Sequence, residues 1–502
     1  MKDIGQFDLI VVGGGVNGAG IARDAIGRGL SVFLCEKDDL AEGTSSRSSK
    51  LVHGGLRYLE YFEFRLVREA LIEREVLLNM APHIVRPMRF VLPHSPEQRP
   101  AWMIRLGLFL YDHLGGRKNL PPSRGVDLAS APEGQALRKT FRRAFEYSDC
   151  WVDDARLVAL NALDLKRRGG TVKTRTPLVS ARREAGFWTV ELREGDVPAT
   201  ARGKALVNAA GPWVEDILAR AHRHAGKGVR LIKGSHVITR KFWPGDHAYL
   251  LQNADKRVTF VIPYEGVFAL IGTTDIIFHG APEDVRMEAA EAEYLLASVN
   301  RYFDVALTPD DIVHAYSGVR PLFDDHAADP SAVTRDYVFD IDAPPGEAPL
   351  FTIFGGKITT YRKLAEHALQ RLSTFFPHIG APWTHRTPLP GGDMASADFE
   401  RFLADFRQRH AWLSSEIALG YAHRYGTRAD DLLAGANSPA ALGRHFGGTL
   451  YEREARFLAR EEWAREAADI LERRTKHGLH LTAGQRASFE SWFAGEGAAV
   501  AR

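Results

Sequence analysis

Only two cysteines, Cys35 and Cys150, stand among 502 residues. No disulfide framework can hold such a chain, and it suits a reducing compartment. Cys35 lies in an apolar run and reads as core filler. Long apolar runs are also missing. No window reaches the roughly 18 uninterrupted apolar residues of a bilayer-spanning helix. The nearest, Trp102–Leu114, is interrupted by Arg105 and Asp112. The early run Leu9–Val12 ends in glycines instead of a cleavage region, so no secretory signal is expected. Charge of one sign is lacking too, with 65 Lys and Arg against 63 Asp and Glu, a net +2. Nothing in that balance argues for nucleic acid, and any anion site must be local. No internal repeat or low-complexity tract is visible. The remainder is ordinary globular composition, long enough for two or three domains.

Against those absences, "FDLIVVGGGVNGAGIARDAIGRGLSVFLCEK" is rich in signal. Phe7–Val12 is a continuous apolar run, as a buried parallel strand requires. Gly13, Gly15 and Gly18 fit G-x-G-x-x-G. The first permits a tight turn, the second lets a pyrophosphate approach the backbone, and the third lets helix and strand pack closely. A helix over roughly Val16–Arg28 points its N-terminus at the phosphates. Leu30–Cys35 is a second strand, and Glu36 at its end stands where a carboxylate accepts hydrogen bonds from an adenosine ribose. An acid there argues against a 2′-phosphate but leaves NAD and FAD open.

The segment that follows, "EGTSSRSSKLVHGGLRYLE", is no plain second βα unit. Its hydroxyls and backbone N–H groups suit a cofactor that continues past its pyrophosphate. Two later segments repeat a strand–glycine–helix pattern: "GKALVNAAGPWVEDIL", with a strand at Ala205–Asn208, and "PLFTIFGGKITTYRKLAEHAL", with a strand at Leu350–Phe354 and a helix from about Thr359. A helix N-terminus aimed at a flavin would stabilise the anion formed on reduction.

These pieces, with "KGSHVI", "GTTD", "SGVRPL" and "REEWAREAADILERRTKHG", resemble the FAD-dependent glycerol-3-phosphate dehydrogenases. The resemblance covers nearly the whole chain, in order. It implies an α/β fold: a glutathione-reductase-like FAD-binding Rossmann domain with a D-amino-acid-oxidase-type β-rich substrate cap, plus a C-terminal helical domain. No D-x-[DN]-x-[DN]-G calcium loop is present, so the shorter bacterial type is implied and no metal is expected.

Carried onto these motifs, the resemblance implies non-covalent FAD held by Gly13, Gly15, Asn17, Gly18, Glu36, Thr44, Ser45, Ser49, Lys50, Val52, Gly54, Ala210, Gly211, Gly355, Gly356, Lys357, Ile358 and Thr359. The implied substrate is sn-glycerol 3-phosphate, oxidised to dihydroxyacetone phosphate. Its phosphate, near a dianion at neutral pH, calls for arginine's planar fork. Arg57, Arg320 and Arg335, with Tyr58 and Lys357, are placed near the substrate. Removing a hydroxyl proton suits a neutral histidine, and His53 and His236 are both candidates. Arg320 and Lys357 can share in polarising the oxygen. Alternatives are an oxidase giving electrons to oxygen, an amine or amino-acid oxidase of the same fold, and a flavin-binding scaffold without turnover.

Residues 1–85, 150–225 and 345–380 are expected to form the FAD domain, and 86–149 and 226–344 the cap. "PLPGGD", Pro388–Asp393, reads as a linker into a helical region over 391–502. Apolar residues there recur at three- and four-residue spacing, and the charges between them read as a solvated face. A membrane quinone as electron acceptor, cytoplasmic location with peripheral membrane attachment, and compatibility with a homodimer follow from the resemblance. Trp102–Leu114 is the candidate interfacial helix, with Arg105 and Arg117 towards headgroups; ordinary domain packing is its alternative.

Overall fold

The computed structural model describes residues 2–116, 119–224, 226–324 and 336–497. Two large sheets organise the chain as far as Phe354. In the first, Lys2–Val12 lies between Val197–Asn208 and Val32–Cys35, parallel to both. Thr171–Lys173 extends this parallel set on one side and Leu350–Phe354 on the other. Val338–Asp342 closes one edge antiparallel, and a hairpin of Leu178–Glu184 and Phe187–Glu194 pairs with Val197–Asn208. The helices Val16–Gly27, Asp154–Arg167 and Tyr361–Leu372 cover one face. Leu9 to Val12 are buried on both faces, as the unbroken apolar run requires.

The second sheet has ten strands, built around the long pair Val229–Arg240 and Ile312–Phe323. Val85–His94 and Arg143–Val152 belong to it, and so does the short strand Leu51–Val52. The chain therefore enters the second sheet at Leu51–Val52, after its first strand–helix–strand unit, and returns to the first for the helix Asp154–Arg167. This is the expected α/β arrangement with a β-rich cap.

The C-terminal region is helical, with its own core around Phe406, Tyr421, Tyr425, Leu458 and Phe489. Two expectations change here. The "linker" Pro388–Asp393 is packed: Leu389 to Gly392 are buried, and Leu389 N–H donates to Met80 O at 2.9 Å. A Cβ on Gly426 would lie 1.9 Å from Gly391 O, so glycine is needed where these two backbones touch. The solvated face holds for the helix Phe399–Arg409, whose Glu400, Arg401, Asp405, Arg407 and Arg409 are exposed, but not for the charged residues farther along the chain. Glu454, Glu462, Asp469, Arg473 and Arg474 are buried; Glu454 pairs with Arg424 within the helical region, while the other four pair with charges across the seam between that region and the rest of the chain. Arg473 and Arg474 both hold Asp39, at 2.6 and 2.7 Å. Glu462 holds Arg156, and Arg428 at 2.5 Å. The expected helical run breaks after Glu461, where Trp463 turns left-handed and Asp469 accepts from Arg465 N–H at 2.7 Å.

A buried carboxylate between two guanidiniums is costly to remove, because the charges left behind are uncompensated. Glu462→Ala should destabilise the protein by roughly 3–5 kcal/mol, read as a lower urea midpoint. Its neighbouring arginines hold the Glu462 carboxyl down at about 2, against the dominant opposing effect of burial. A depressed folded-state value means this contribution is present at neutral pH and is lost as pH falls from the ordinary carboxylate range through about 2. The wild type should therefore lose stability in acid more steeply than the variant.

Candidate active site

A cavity of about 340 Å³ opens where the two sheets meet. The glycine turn forms its floor. Gly13 has φ +114°, and a Cβ on it would come 2.5 Å from Ala209 O. A Cβ on Gly18 would lie 1.9 Å from Gly13 O. The turn, the first helix and the end of the strand Val197–Asn208 thus interlock, and Gly15, Val16 and Asn17 face the cavity at the helix N-terminus. Glu36 accepts from Gly14 N–H at 2.6 Å and Asp38 N–H at 2.9 Å. Burial, the largest effect, outweighs those bonds and raises its carboxyl to about 7. Ribose hydroxyls donating to Glu36 would supply what burial withholds.

The serine-rich loop is the far wall. Ser45 Oγ accepts from Val16 N–H at 3.0 Å, tying the loop to the helix start. Thr44 Oγ1 donates to Val319 O at 2.6 Å and Ser49 Oγ meets His236 Nε2 at 2.8 Å, tying it to the second sheet. Ala210, Gly211 and the run Gly355 to Thr359 complete the lining. Asn17 Nδ2 donates to Gly355 O at 3.1 Å, joining the first and last of these turns. His53 and Gly54 line the cavity too, with His53 N–H donating to Thr359 Oγ1 at 3.3 Å.

From the second sheet come His236 and Arg320. The His236 ring stacks on Tyr316, centroids 4.8 Å apart, and a Cβ on Gly272 would strike it at 2.1 Å. Gly234 similarly clears space for Arg320, whose guanidinium donates to Thr274 O at 2.9 Å and pairs with Asp275 at 2.7 Å. The glycines of "KGSHVI" and "IGTTD" are therefore what allow these side chains into the cavity. Burial first, then the Lys50 and Arg320 charges, holds His236 well below the ordinary imidazole range. It is neutral near pH 7, and its Nδ1 has no hydrogen-bond partner among the described residues. Lys357 Nζ sits 4.3 Å from the Tyr58 ring centre, with both side chains at the cavity.

Most of the expected site residues thus converge on one cavity. Gly18 and Val52 stand just behind its wall. Arg57 is half-buried on the turn Leu56–Tyr61 and lies outside the lining. Lys50 lies outside this lining, its Nζ 3.0 Å from the Asp154 carboxylate, which neutralises the buried charge. Arg335 lies outside the described residues. Arg47, Trp213, Thr273 and Asp275 were not singled out from sequence. Trp213 and Asp275 sit within "NAAGPWV" and "GTTD", so only the motifs pointed to them.

A cradle with a helix N-terminus, a ribose-side acid, and a long hydroxyl-lined channel ending at cationic and imidazole side chains defines a dinucleotide-dependent oxidoreductase. Residues 8–362 match the FAD dependent oxidoreductase family, and 382–489 match the C-terminal domain of alpha-glycerophosphate oxidase. The chain belongs to that FAD-dependent family. It is 60% identical to the D-erythritol 1-phosphate dehydrogenase of Brucella abortus, over 97% of each chain. It is 55% identical to a glycerol-3-phosphate dehydrogenase of Pseudomonas aeruginosa, over 96% of this chain and 93% of that one. The aerobic glycerol-3-phosphate dehydrogenase of Escherichia coli is 52% identical over 97% of each. The FAD complex of the Bacillus halodurans glycerol-3-phosphate dehydrogenase superposes with a TM-score of 0.77 at 26% identity, covering 98% of this chain and 94% of that one. The resemblance read from the motifs, and FAD as the cofactor, are borne out.

The cradle makes FAD loading sensitive to single methyl groups. Gly18→Ala should yield protein with little flavin, measured as the ratio of visible flavin to protein absorbance, because helix and turn must separate to admit the Cβ.

Proposed function

We propose that this enzyme oxidises a small phosphorylated polyol, sn-glycerol 3-phosphate in the first instance, to the corresponding ketone phosphate. The observation that carries this is the presence, at the cap end of the cavity, of both Arg320 and a neutral His236 whose Nδ1 has no hydrogen-bond partner among the described residues. FAD, when bound, supplies the hydride acceptor. The chain's own groups do the rest. Arg320, with Lys357 and Tyr58, holds the substrate's oxygens; inside a closed cavity such charged bonds are strong. Arg57 and Arg335 belong to this set by resemblance. His236 Nδ1 takes the hydroxyl proton as the carbon-bound hydrogen leaves with its electron pair. Ser49, bonded to Nε2, fixes the ring. His53, also in the cavity lining, is the second candidate base. The first sheet's turns and the loop 44–54 hold FAD without a covalent link, and the second sheet caps the substrate.

A second reading has its own support. The 60% identity to a D-erythritol 1-phosphate dehydrogenase exceeds that to the glycerol-3-phosphate enzymes named above. A four-carbon substrate presents the same phosphate and secondary alcohol with one further hydroxymethyl group. Comparing kcat/KM for the two phosphates decides between them, since a site built around one length discriminates by its unpaired polar groups. For either substrate, Arg320→Ala should lower kcat/KM by an amount equivalent to roughly 2–5 kcal/mol while leaving the flavin content intact. An unchanged kcat/KM would remove Arg320 from the site.

Electrons must then leave, and we infer a membrane quinone as the acceptor. No described helix is long and apolar enough to cross a membrane. The helix Ala101–Leu114 buries Leu108 and Tyr111, yet leaves Trp102 65%, Leu106 51% and Phe109 54% exposed. Tyr61, Phe62 and Phe64 are exposed as well, on and just after the turn that carries Tyr58. Arg105 donates to Ser123, and Arg117 lies outside the described residues. This exposed face suits interfacial burial beside the cavity. Wild-type protein should float with anionic liposomes, less so in salt, and a Leu106→Glu, Phe109→Glu variant that keeps its flavin should stay in the soluble fraction. Equal flotation of the two would place attachment elsewhere.

A further inference from the structure

A second cavity, of about 80 Å³, lies behind the His236–Tyr316 stack, between the second sheet and the C-terminal region. By the usual allowance of about 10–15 Å³ per water, that is room for several waters or one tetrahedral oxyanion. Its lining is cationic: Arg47, Lys50, Arg473, Lys476 and Arg486 face it, with Glu472 the only carboxylate among the lining residues. Exposed His314 stands among the lining residues and marks the side open to solvent.

The carboxylates that balance these cations stand mostly behind them. Lys50 is neutralised by Asp154, Lys476 by Asp153, and Arg473 by Asp39 and Asp469. Arg486 reaches Glu472 and Glu490 only at 3.5 and 3.6 Å. The Arg47 guanidinium has no hydrogen bond or ion pair among the described residues. Lys476 is buried in a left-handed conformation, and burial, the largest effect, pulls its ammonium below the ordinary lysine range. A folded protein does not gather donors around an aqueous hole without cost, and an anion would satisfy several of them at once.

We propose that this seam cavity is a binding site for a small tetrahedral oxyanion, of which inorganic phosphate is the natural candidate. The Arg47 and Arg486 forks and the Lys476 ammonium supply its donors. The site is separate from the flavin cavity, although Arg47 lines both, and Tyr316 forms a wall of the second while stacking on His236. Occupancy would brace the loop that carries Ser45 and Ser49.

The test is calorimetric titration of FAD-loaded enzyme with inorganic phosphate at constant ionic strength. Arg486→Gln and His314→Glu should each weaken one class of phosphate site roughly tenfold or more, as loss of a charged hydrogen bond or an added mouth carboxylate implies. The flavin spectrum and thermal midpoint in chloride report whether each variant is folded; His314, being exposed, serves if Arg486→Gln is not. Wild type should bind one more phosphate than the variants. That difference is independent of whether the flavin cavity itself takes phosphate, so failure of the substrate proposal would not imitate it. Equal stoichiometry and affinity in wild type and both variants would overturn the site. So would selenate soaked into holoenzyme crystals and found only in the flavin cavity. Glucose 6-phosphate in place of phosphate reports the source: binding confined to inorganic phosphate supports the free oxyanion, and equal binding of the ester overturns that assignment.

Discussion

The loop Thr44 to Lys50 holds the two sheets at one spacing, and the site exists only at that spacing. Its side chains alternate between partners on opposite sides. Ser45 caps the first helix, Thr44 and Ser49 reach the second sheet, and Lys50 pins the loop to the helix Asp154–Arg167. Each bond alone is worth about 0.5–1.5 kcal/mol, with more for the charged one. Together they fix where His236 and Arg320 stand relative to the dinucleotide turn. A hydride transfer depends on that placement, because a shift of about 1 Å can cost a hundredfold in rate.

The C-terminal region supports this loop from behind. Lys476 meets Asp153, one residue from the Asp154 that holds Lys50. Arg473 and Arg474 grip Asp39, close after Glu36 at the end of the second strand. The helical region is therefore braced against the cofactor-binding turns by buried charge as well as by apolar contact. Such pairs contribute little net stability compared with apolar packing. They do penalise any other register of the seam, since a displaced carboxylate would be left buried and alone.

Much of this was legible in the residues. The apolar run Leu9–Val12, the glycine spacing and Glu36 specify the turn through local sterics, which a sequence displays directly. The motif pieces located His53, His236, Arg320 and Lys357 because they are contiguous strings. What escaped was set by distant partners. Lys50 read as a cofactor contact because its neighbours did; its turn toward Asp154 depends on a helix over a hundred residues away. Glu462, Arg473 and Arg474 read as a solvated face because helical spacing shows which residues share a side, and not what lies against it. Gly391 looked like a linker residue, though it is there to let two backbones touch. Arg57 stood within the right motif, on the turn Leu56–Tyr61, yet lies outside the cavity lining.

The central claim is that a phosphate-bearing polyol is oxidised at the His236–Arg320 end of the flavin cavity. Mixing the FAD-loaded enzyme with sn-glycerol 3-phosphate or D-erythritol 1-phosphate in the absence of oxygen, and following the visible flavin band, tests it most directly. The account predicts rapid bleaching by at least one of the two phosphates and none by glycerol or erythritol at the same concentration. A flavin left oxidised by both phosphates, or bleached equally by the free polyols, would contradict it.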